Sequence, residues 1–322
     1  MIVIDNVGTE ASLRSSTGDM LRRIQWTLML ILSVVIYGSH TPLISMCRVD
    51  GIISFSSSAV VLLIEVLKLI ISLASLLITE RKPFDLPVSW KLALPYAFPA
   101  ILYGVNNNLV VHMQRFMDPS SFQVLSNLKI VSTALLYSIF LGQRLSIRKW
   151  LALFLLTVAG VFYSYGGIHD IEKASAATHP YITFQGLLLM LFYCLISGMS
   201  AVYTEMTLKT QNIPLNLQNI FLYSFGIVIN FLAHLSGNPS SNFLDGFSIW
   251  VLMIIVSQAV NGLIMSVVMK HSSNITRLFI ISCSMLVNGL LSYMLFQLQL
   301  TFLFFLAVVF IGFAVYLFYG FR

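Results

Sequence analysis

Charge is the scarcest component of this sequence: Asp, Glu, Lys and Arg make up 9% of its 322 residues. A soluble chain of this length would form two domains, and each would need a charged surface that this composition cannot supply. Cysteine is almost as rare. Cys47, Cys194 and Cys283 lie in or beside apolar stretches without CxxC spacing, which leaves neither a disulfide framework nor a zinc site. There is no Gly-x-x-x-x-Gly-Lys-Ser/Thr loop and no His/Cys/Asp cluster at ligand spacing, so no nucleotide-hydrolysing loop, metal or other cofactor is expected. The apolar segments hold no paired carboxylates and no nucleophile beside a base, which makes an enzyme the weakest reading. The net charge of +6 is spread over short flanks instead of forming one patch, and this argues against a nucleic-acid partner.

What fills the sequence is apolar, at 58%. Runs near or above 18 residues recur, each long enough to cross a bilayer. Ten spans are expected, at about 25–46, 57–79, 92–114, 122–142, 150–166, 182–206, 218–235, 247–269, 278–295 and 302–319. Residues 1–24 read as a disordered cytosolic tail, without the charged start, short apolar core and small-residue cleavage site of a signal peptide. An even number of crossings puts both ends on one side. Of the 18 Lys and Arg, Lys68, Lys129 and Arg277 fall within spans, Arg48, Arg115 and Lys173 lie on the opposite side, and the other 12 share the side of the chain ends. That bias predicts cytosolic termini. Five spans per half invert the second half relative to the first. Spans four and five also resemble nine and ten: each pair has a cation, a long apolar run, a break before Leu145-Ser146 or Leu300-Thr301, and a last span closing in aromatic residues and glycine. The expected fold is an all-α membrane protein of ten transmembrane helices in two inverted five-helix repeats, 25–166 and 182–320, joined by a central luminal loop at 167–181.

Polar residues inside the spans carry the functional signal. Lys129 sits well inside the apolar stretch Phe122–Tyr137, and an ammonium in hydrocarbon costs several kcal/mol, so it faces a wet cavity or a partner, or snorkels. Arg277 opens the apolar segment ending near Leu295. One cation in each half is what an anion-handling site between the halves would need. Glu65 and Lys68, three residues apart, share a helix face and read as a structural ion pair more than a proton relay. Tyr103-Gly-Val-Asn-Asn-Asn108 puts three amides at membrane depth, where they stitch helices together or read a ligand. Span six ends in Val202-Tyr203-Thr-Glu205 with Lys209 beyond, span seven carries Gln218, Asn219, Tyr223 and Asn230, and span eight carries Gln258 and Asn261. Asn274-Ile-Thr276 matches a glycosylation acceptor, but at the membrane edge on the cytosolic side it is expected to be unused.

These residues resemble the Golgi nucleotide-sugar transporters, the family of the CMP-sialic acid and UDP-galactose carriers, over nearly all of the chain after the tail. Asn106-Asn-Asn-Leu-Val110, Val124-Leu-Ser-Asn-Leu-Lys-Ile130 and Val268-Met-Lys-His-Ser-Ser-Asn-Ile-Thr-Arg-Leu-Phe279 bring it nearest to the orphan A4-type UDP-sugar branch. The resemblance implies phosphate binding by Lys129 and Arg277 and nucleotide binding by Tyr103, Asn107 and Phe122. It places Asn219, Tyr223 and Ser224 on the sugar side, and Glu65 and Lys68 match the family's pair in span two. Four positions depart from the pattern. Phe122 stands where relatives have tyrosine, Gln218 where many have arginine, Phe225 where a sialic acid carrier has serine, and Arg277 where a lysine is expected. Arginine keeps the charge and adds a bidentate fork. The implied function is an antiporter that carries a pyrimidine nucleotide-linked sugar or polyol into the Golgi lumen in exchange for the nucleoside monophosphate. That substrate would be a UDP-sugar, or a CMP- or CDP-linked one such as a CDP-alditol. The implied partners are the nucleotide sugar, the monophosphate and the lipid bilayer, with other nucleotide-sugar transporters or glycosyltransferases as further candidates. The changes around span seven keep a second reading open: a transport-inactive scaffold or partner of another carrier or glycosyltransferase.

Overall fold

The computed structural model describes residues 4–49, 52–53, 55–80, 88–113, 115–174, 182–236, 243, 245–297 and 299–320, with side-chain detail from residue 20 onward. Among these residues the chain is helical apart from a short antiparallel ladder of β1 (Arg48–Val49) with β2 (Ile52–Ile53) and a single bridge between Met117 and Ile182. The first half comprises α1 (Ile4–Met46), α2 (Ser57–Thr79), α3 (Trp90–Ala93), α4 (Ala97–Met113), α5 (Pro119–Leu125), α6 (Lys129–Phe140) and α7 (Ile147–Ala174). The second comprises α8 (Phe184–Thr210), α9 (Leu215–Ser236), α10 (Ile249–His271), α11 (Asn274–Phe296) and α12 (Phe302–Tyr319). Nine stretches among the described residues, from Met20–Met46 to Phe302–Tyr319, are long and apolar enough to cross a membrane. The 17-residue α4 with the turns before it supplies a tenth crossing. The protein is a multi-pass, all-α membrane protein.

Local chemistry explains where the helices start. Asp118, Thr183, Ser248, Ser273 and Thr301 each precede a helix in extended conformation and accept from a backbone N–H three residues on. Such caps matter more in a membrane, where an orphan N–H has no water to turn to. Two spans are interrupted. The stretch expected as one helix from about residue 92 divides into α3, a 3-10 turn at Leu94–Tyr96 and α4, with Pro95 in the turn and Pro99 just inside α4. A proline lacks the N–H that would continue the ladder. The fourth span is broken between α5 and α6 by a 3-10 turn at Ser126–Leu128. Asn127 stitches that break: its amide nitrogen donates to Gln123 O and Val124 O, both at 3.1 Å, and to Ser164 Oγ on α7 at 3.2 Å.

Two expected boundaries differ. Helix begins at Ile4, within the stretch read as a disordered tail. Extending an existing helix outward adds one hydrogen bond per residue without a new nucleation step, so the apolar span can carry polar residues with it. Likewise α7 continues to Ala174 through the first half of the expected central loop, and residues 175–181 lie outside the described ones.

The largest apolar core joins α6, α7, α8, α11 and α12. Ala152 and Ala159 on α7 and Ala307 and Ala314 on α12 are fully buried in it. Both pairs are seven residues apart, so small side chains line one face of each helix and let the backbones approach, as membrane helices need in the absence of a hydrophobic drive. Away from this core, α1, α2 and α4 of the first half pack on α8–α11 of the second and leave a gap between the halves.

Candidate functional site

The gap is a half-open cavity of about 290 Å³, walled by α1, α2 and α4 from the first half and α8, α9, α10 and α11 from the second. Its polar wall is built in levels. Deepest, Arg277 in the first turn of α11 reaches Tyr103 of α4, with Nη1 3.4 Å from the phenolic oxygen, and lies 4.0 Å from the Met269 sulfur. Next comes the ion pair on α2: Lys68 Nζ donates to Glu65 Oε1 at 2.5 Å. The same ammonium sits 4.3 Å from the centroid of the Tyr223 ring, a cation–π contact. Tyr223 is in turn fixed by a 3.0 Å hydrogen bond with Ser266 of α10.

This pair fits because two glycines face it. A Cβ on Gly226 of α9 would stand 2.9 Å from Glu65 Oε2, and one on Gly262 of α10 would stand 2.8 Å from Lys68 Cδ. Carboxylate and alkyl stem therefore lie against bare backbone, and α2 is clamped between α9 and α10 at the level of its charges.

The floor is sealed by hydrogen bonds at the end of the bundle where α8 passes into α9 and α10 into α11. Glu205, fully buried, accepts from Lys209 Nζ at 2.6 Å and from the backbone N–H of Asn274 at 2.7 Å. Lys209 donates a second bond, to Ser272 O at 2.6 Å. Beside it, Gln211 accepts from Tyr96 Oη and donates to Leu92 O, while Gln218 donates to Gln211 O and accepts from Lys270 Nζ. Four helix ends are thus tied beneath Arg277 by side chains whose partners are all supplied by the protein.

The cavity brings together six of the residues singled out from the sequence: Glu65, Lys68, Tyr103, Asn107, Tyr223 and Arg277. Four others are not on its wall. Lys129, half-buried, opens α6 beyond the 3-10 turn, one turn before Ser132, which donates to Cys194 O on α8 at 2.9 Å. Phe122 packs edge-on against Tyr193, centroids 5.4 Å apart, in an apolar cluster with Met113, Met117 and Met190. Asn219 is buried one turn below Tyr223. Ser224, the residue after Tyr223, is turned about 100° round the helix and is exposed. Asn230, Gln258 and Asn261, noted in the sequence for their polarity but given no role there, also line the cavity, as does Ser266, which the sequence reading did not single out. The available signal was their polarity inside apolar spans.

Comparison with known proteins agrees with this architecture. A sequence profile described as nucleotide-sugar transporter matches residues 23–319. A Xenopus tropicalis protein named "Probable UDP-sugar transporter protein SLC35A4" is 68% identical, covering 98% of this chain and 99% of its own length. Proteins of the same name from Danio rerio and Homo sapiens are 54% and 51% identical, covering 92% and 94% of this chain and 94% and 96% of their own. Among solved structures, one crystal structure of a protein matches with a TM-score of 0.69 at 10% identity, over 92% of this chain and 96% of that one. That likeness concerns the fold alone.

Proposed function

The chain belongs to the nucleotide-sugar transporter family, and from that premise we propose that it is an antiporter for a pyrimidine nucleotide-linked sugar or polyol. The ligand would be a UDP-sugar, as in the names of the relatives, or a CMP- or CDP-linked compound such as a CDP-alditol, carried into the Golgi lumen in exchange for the nucleoside monophosphate. The observation that carries this reading is the placement of Arg277 and Tyr103 at the bottom of a cavity walled by both halves of the chain. A guanidinium in a site of low dielectric is a strong, oriented partner for a phosphate. An adjoining tyrosine ring offers a face or a hydroxyl to the base or ribose. The monophosphate keeps the phosphate and base contacts and lacks the sugar, which makes exchange a natural cycle: either ligand fills the cavity, and the two halves rock around it. Sugar-side contacts come from Tyr223, while Lys129, Phe122, Asn219 and Ser224, outside this cavity, would take part only after such a rearrangement. With both chain ends cytosolic by the distribution of Lys and Arg, the sealed floor faces the cytosol and the cavity faces the lumen.

Thermal stabilisation of the purified protein by UMP, CMP, GMP and their UDP-, CMP-, CDP- and GDP-linked sugars or polyols tests the reading, because only a ligand that prefers the folded state raises its melting temperature. A selective shift for one pyrimidine series, abolished in Arg277→Ala, is the expected result. A well-folded protein that responds to none of these nucleotides would overturn the proposal in favour of a transport-inactive scaffold.

A further inference from the structure

One amide on the cavity wall has no partner among the described residues. Gln258 of α10 lines the cavity, and its amide nitrogen is buried with no acceptor in reach among the described residues. An unpaired buried amide costs about 1–3 kcal/mol, so a position that keeps one inside a cavity calls for an occupant. Two more amides stand on the same wall. Asn230 of α9 spends its nitrogen on Gly226 O at 2.8 Å, which leaves its carbonyl oxygen for another donor, and Asn107 of α4 is exposed on the cavity.

The helical rise places Gln258 and Asn230 together, each one turn beyond the glycine that faces the Glu65–Lys68 pair. Gln258 lies eight residues from Ser266, roughly 12 Å along α10, and Asn230 seven residues from Tyr223, roughly 10 Å along α9. Asn107, one turn or about 6 Å beyond Tyr103 on α4, stands deeper than these two. The displacements of Gln258 and Asn230 both lead towards the ends of α10 and α9 remote from Arg277. At this level α2, which lies between α9 and α10, contributes Val61 and Ile64, one turn beyond the Glu65–Lys68 pair. The level therefore offers uncharged donors and acceptors with aliphatic surface beside them. Hydroxyls on one edge and C–H groups on the opposite face are the features of a saccharide or polyol, whereas the tyrosine rings and the cations are concentrated deeper.

Resting on the transport reading above, we infer that Gln258, with Asn230, forms the subsite that recognises the hydroxyls of the sugar or polyol end of the ligand. These residues then decide which saccharide is accepted while contributing little to the nucleotide end. The amides of Gln258 and Asn230 supply a donor and an acceptor, so a saccharide presenting the complementary pair of hydroxyls at that depth is favoured over its epimer.

The test compares wild type, Gln258→Met and Asn230→Ser for binding of UMP and CMP and of UDP-glucose, UDP-galactose, UDP-N-acetylglucosamine and CDP-ribitol. Gln258→Met keeps the length of the side chain and removes only the amide. The expected result is a loss of about tenfold in affinity for the preferred nucleotide sugar, with the monophosphate unchanged within twofold. Equal losses for sugar-linked and free nucleotide would overturn the inference, because the amides would then be reading the nucleotide. Unchanged affinity for both would overturn it as well. Should wild type bind none of the probes, the transport reading itself fails and takes the subsite with it. Should Gln258→Met not fold, unaltered discrimination in Asn230→Ser, shown folded by its UMP affinity, would overturn the inference.

Discussion

Lys209 should be worth more to this protein than its half-exposed position suggests, because among the described residues it alone pairs a charge with the fully buried carboxylate of Glu205. Lys209→Met deletes the 2.6 Å bond to Glu205 and the 2.6 Å bond to Ser272 O. Glu205 is left with one donor, the backbone N–H of Asn274 at 2.7 Å. Removing one member of a buried ion pair typically costs roughly 3–5 kcal/mol, since the remaining charge is desolvated and unmatched. The Lys209 side chain is 33% exposed and that of Glu205 is 0% exposed, so water can relieve part of the loss from one side only. A cost near the lower end, about 3 kcal/mol, follows. For a chain of this size that lowers the melting temperature by about 6 °C, at about 2 °C per kcal/mol. Glu205→Gln combined with Lys209→Met removes both charges and keeps an oxygen for the Asn274 N–H, so the double variant should lose only about 1 kcal/mol. Thermal unfolding of wild type, both single variants and the double variant in lipid nanodiscs measures the coupling directly. A Lys209→Met protein no less stable than the double variant would refute the reasoning, because the carboxylate would then not depend on that ammonium.

Three other perturbations follow from the same geometry. Alanine at Gly226 or Gly262 should destabilise by about 1–3 kcal/mol through overpacking against the Glu65–Lys68 pair, against a helix propensity that by itself favours alanine by about 1 kcal/mol. The sign of the change in melting temperature decides between the two effects, and Gly262, which faces the Lys68 stem, should be the worse site. Asn127→Ala removes three hydrogen bonds that stitch the break between α5 and α6 and should cost about 2–3 kcal/mol, with local amide exchange accelerated at 123–128. Cys47, just beyond α1 and 6% exposed, has its thiol pKa raised by burial, with a hydrogen bond from Ser248 pulling the other way. Its thiolate fraction therefore stays low until the pH passes the ordinary thiol range, and in a Cys194→Ala/Cys283→Ala protein maleimide labelling should be slow at pH 7, speed up as pH rises towards 9 and above, and become fast at any of these values on unfolding.

How much of the fold was legible depended on how much of it is one-dimensional. A span is a run of apolar residues, and its length is fixed by the bilayer, so the helices could be placed within a few residues. The two-residue link at Ser272–Ser273 likewise forces α10 and α11 to be antiparallel neighbours. The interruptions were harder to see. Residues 92–114 were read as one span although Pro95 and Pro99 lie within it and mark the break before α4, whereas the 3-10 turn at 126–128 contains neither proline nor glycine. It is held by Asn127 and its partner Ser164 on another helix, a long-range contact that no local pattern contains.

The same difference explains which site residues were placed and which were not. Glu65 and Lys68 belong to one uninterrupted helix, so their spacing alone fixed their mutual bond. The direction of Lys129 depends on the 3-10 turn immediately before it, which the spacing of a regular helix does not describe. Lys129 and Arg277 were paired for their symmetry between halves, yet the cation that shares the cavity with Arg277 is Lys68. The charged residues on the wall are then Glu65, Lys68 and Arg277, which leaves one net positive charge. On the transport proposal, a phosphate at Arg277 would gain Lys68 only by drawing the ammonium away from Glu65, off the Tyr223 ring and out of the space beside Gly262. Breaking that pair would leave a carboxylate in the cavity, an unfavourable result unless the pair is shared with the ligand or the helices α2, α9 and α10 move with it. Because those three helices come from both halves, any gain in binding at Lys68 is coupled to their relative position. That coupling is the physical condition for a ligand to favour one arrangement of the halves over another.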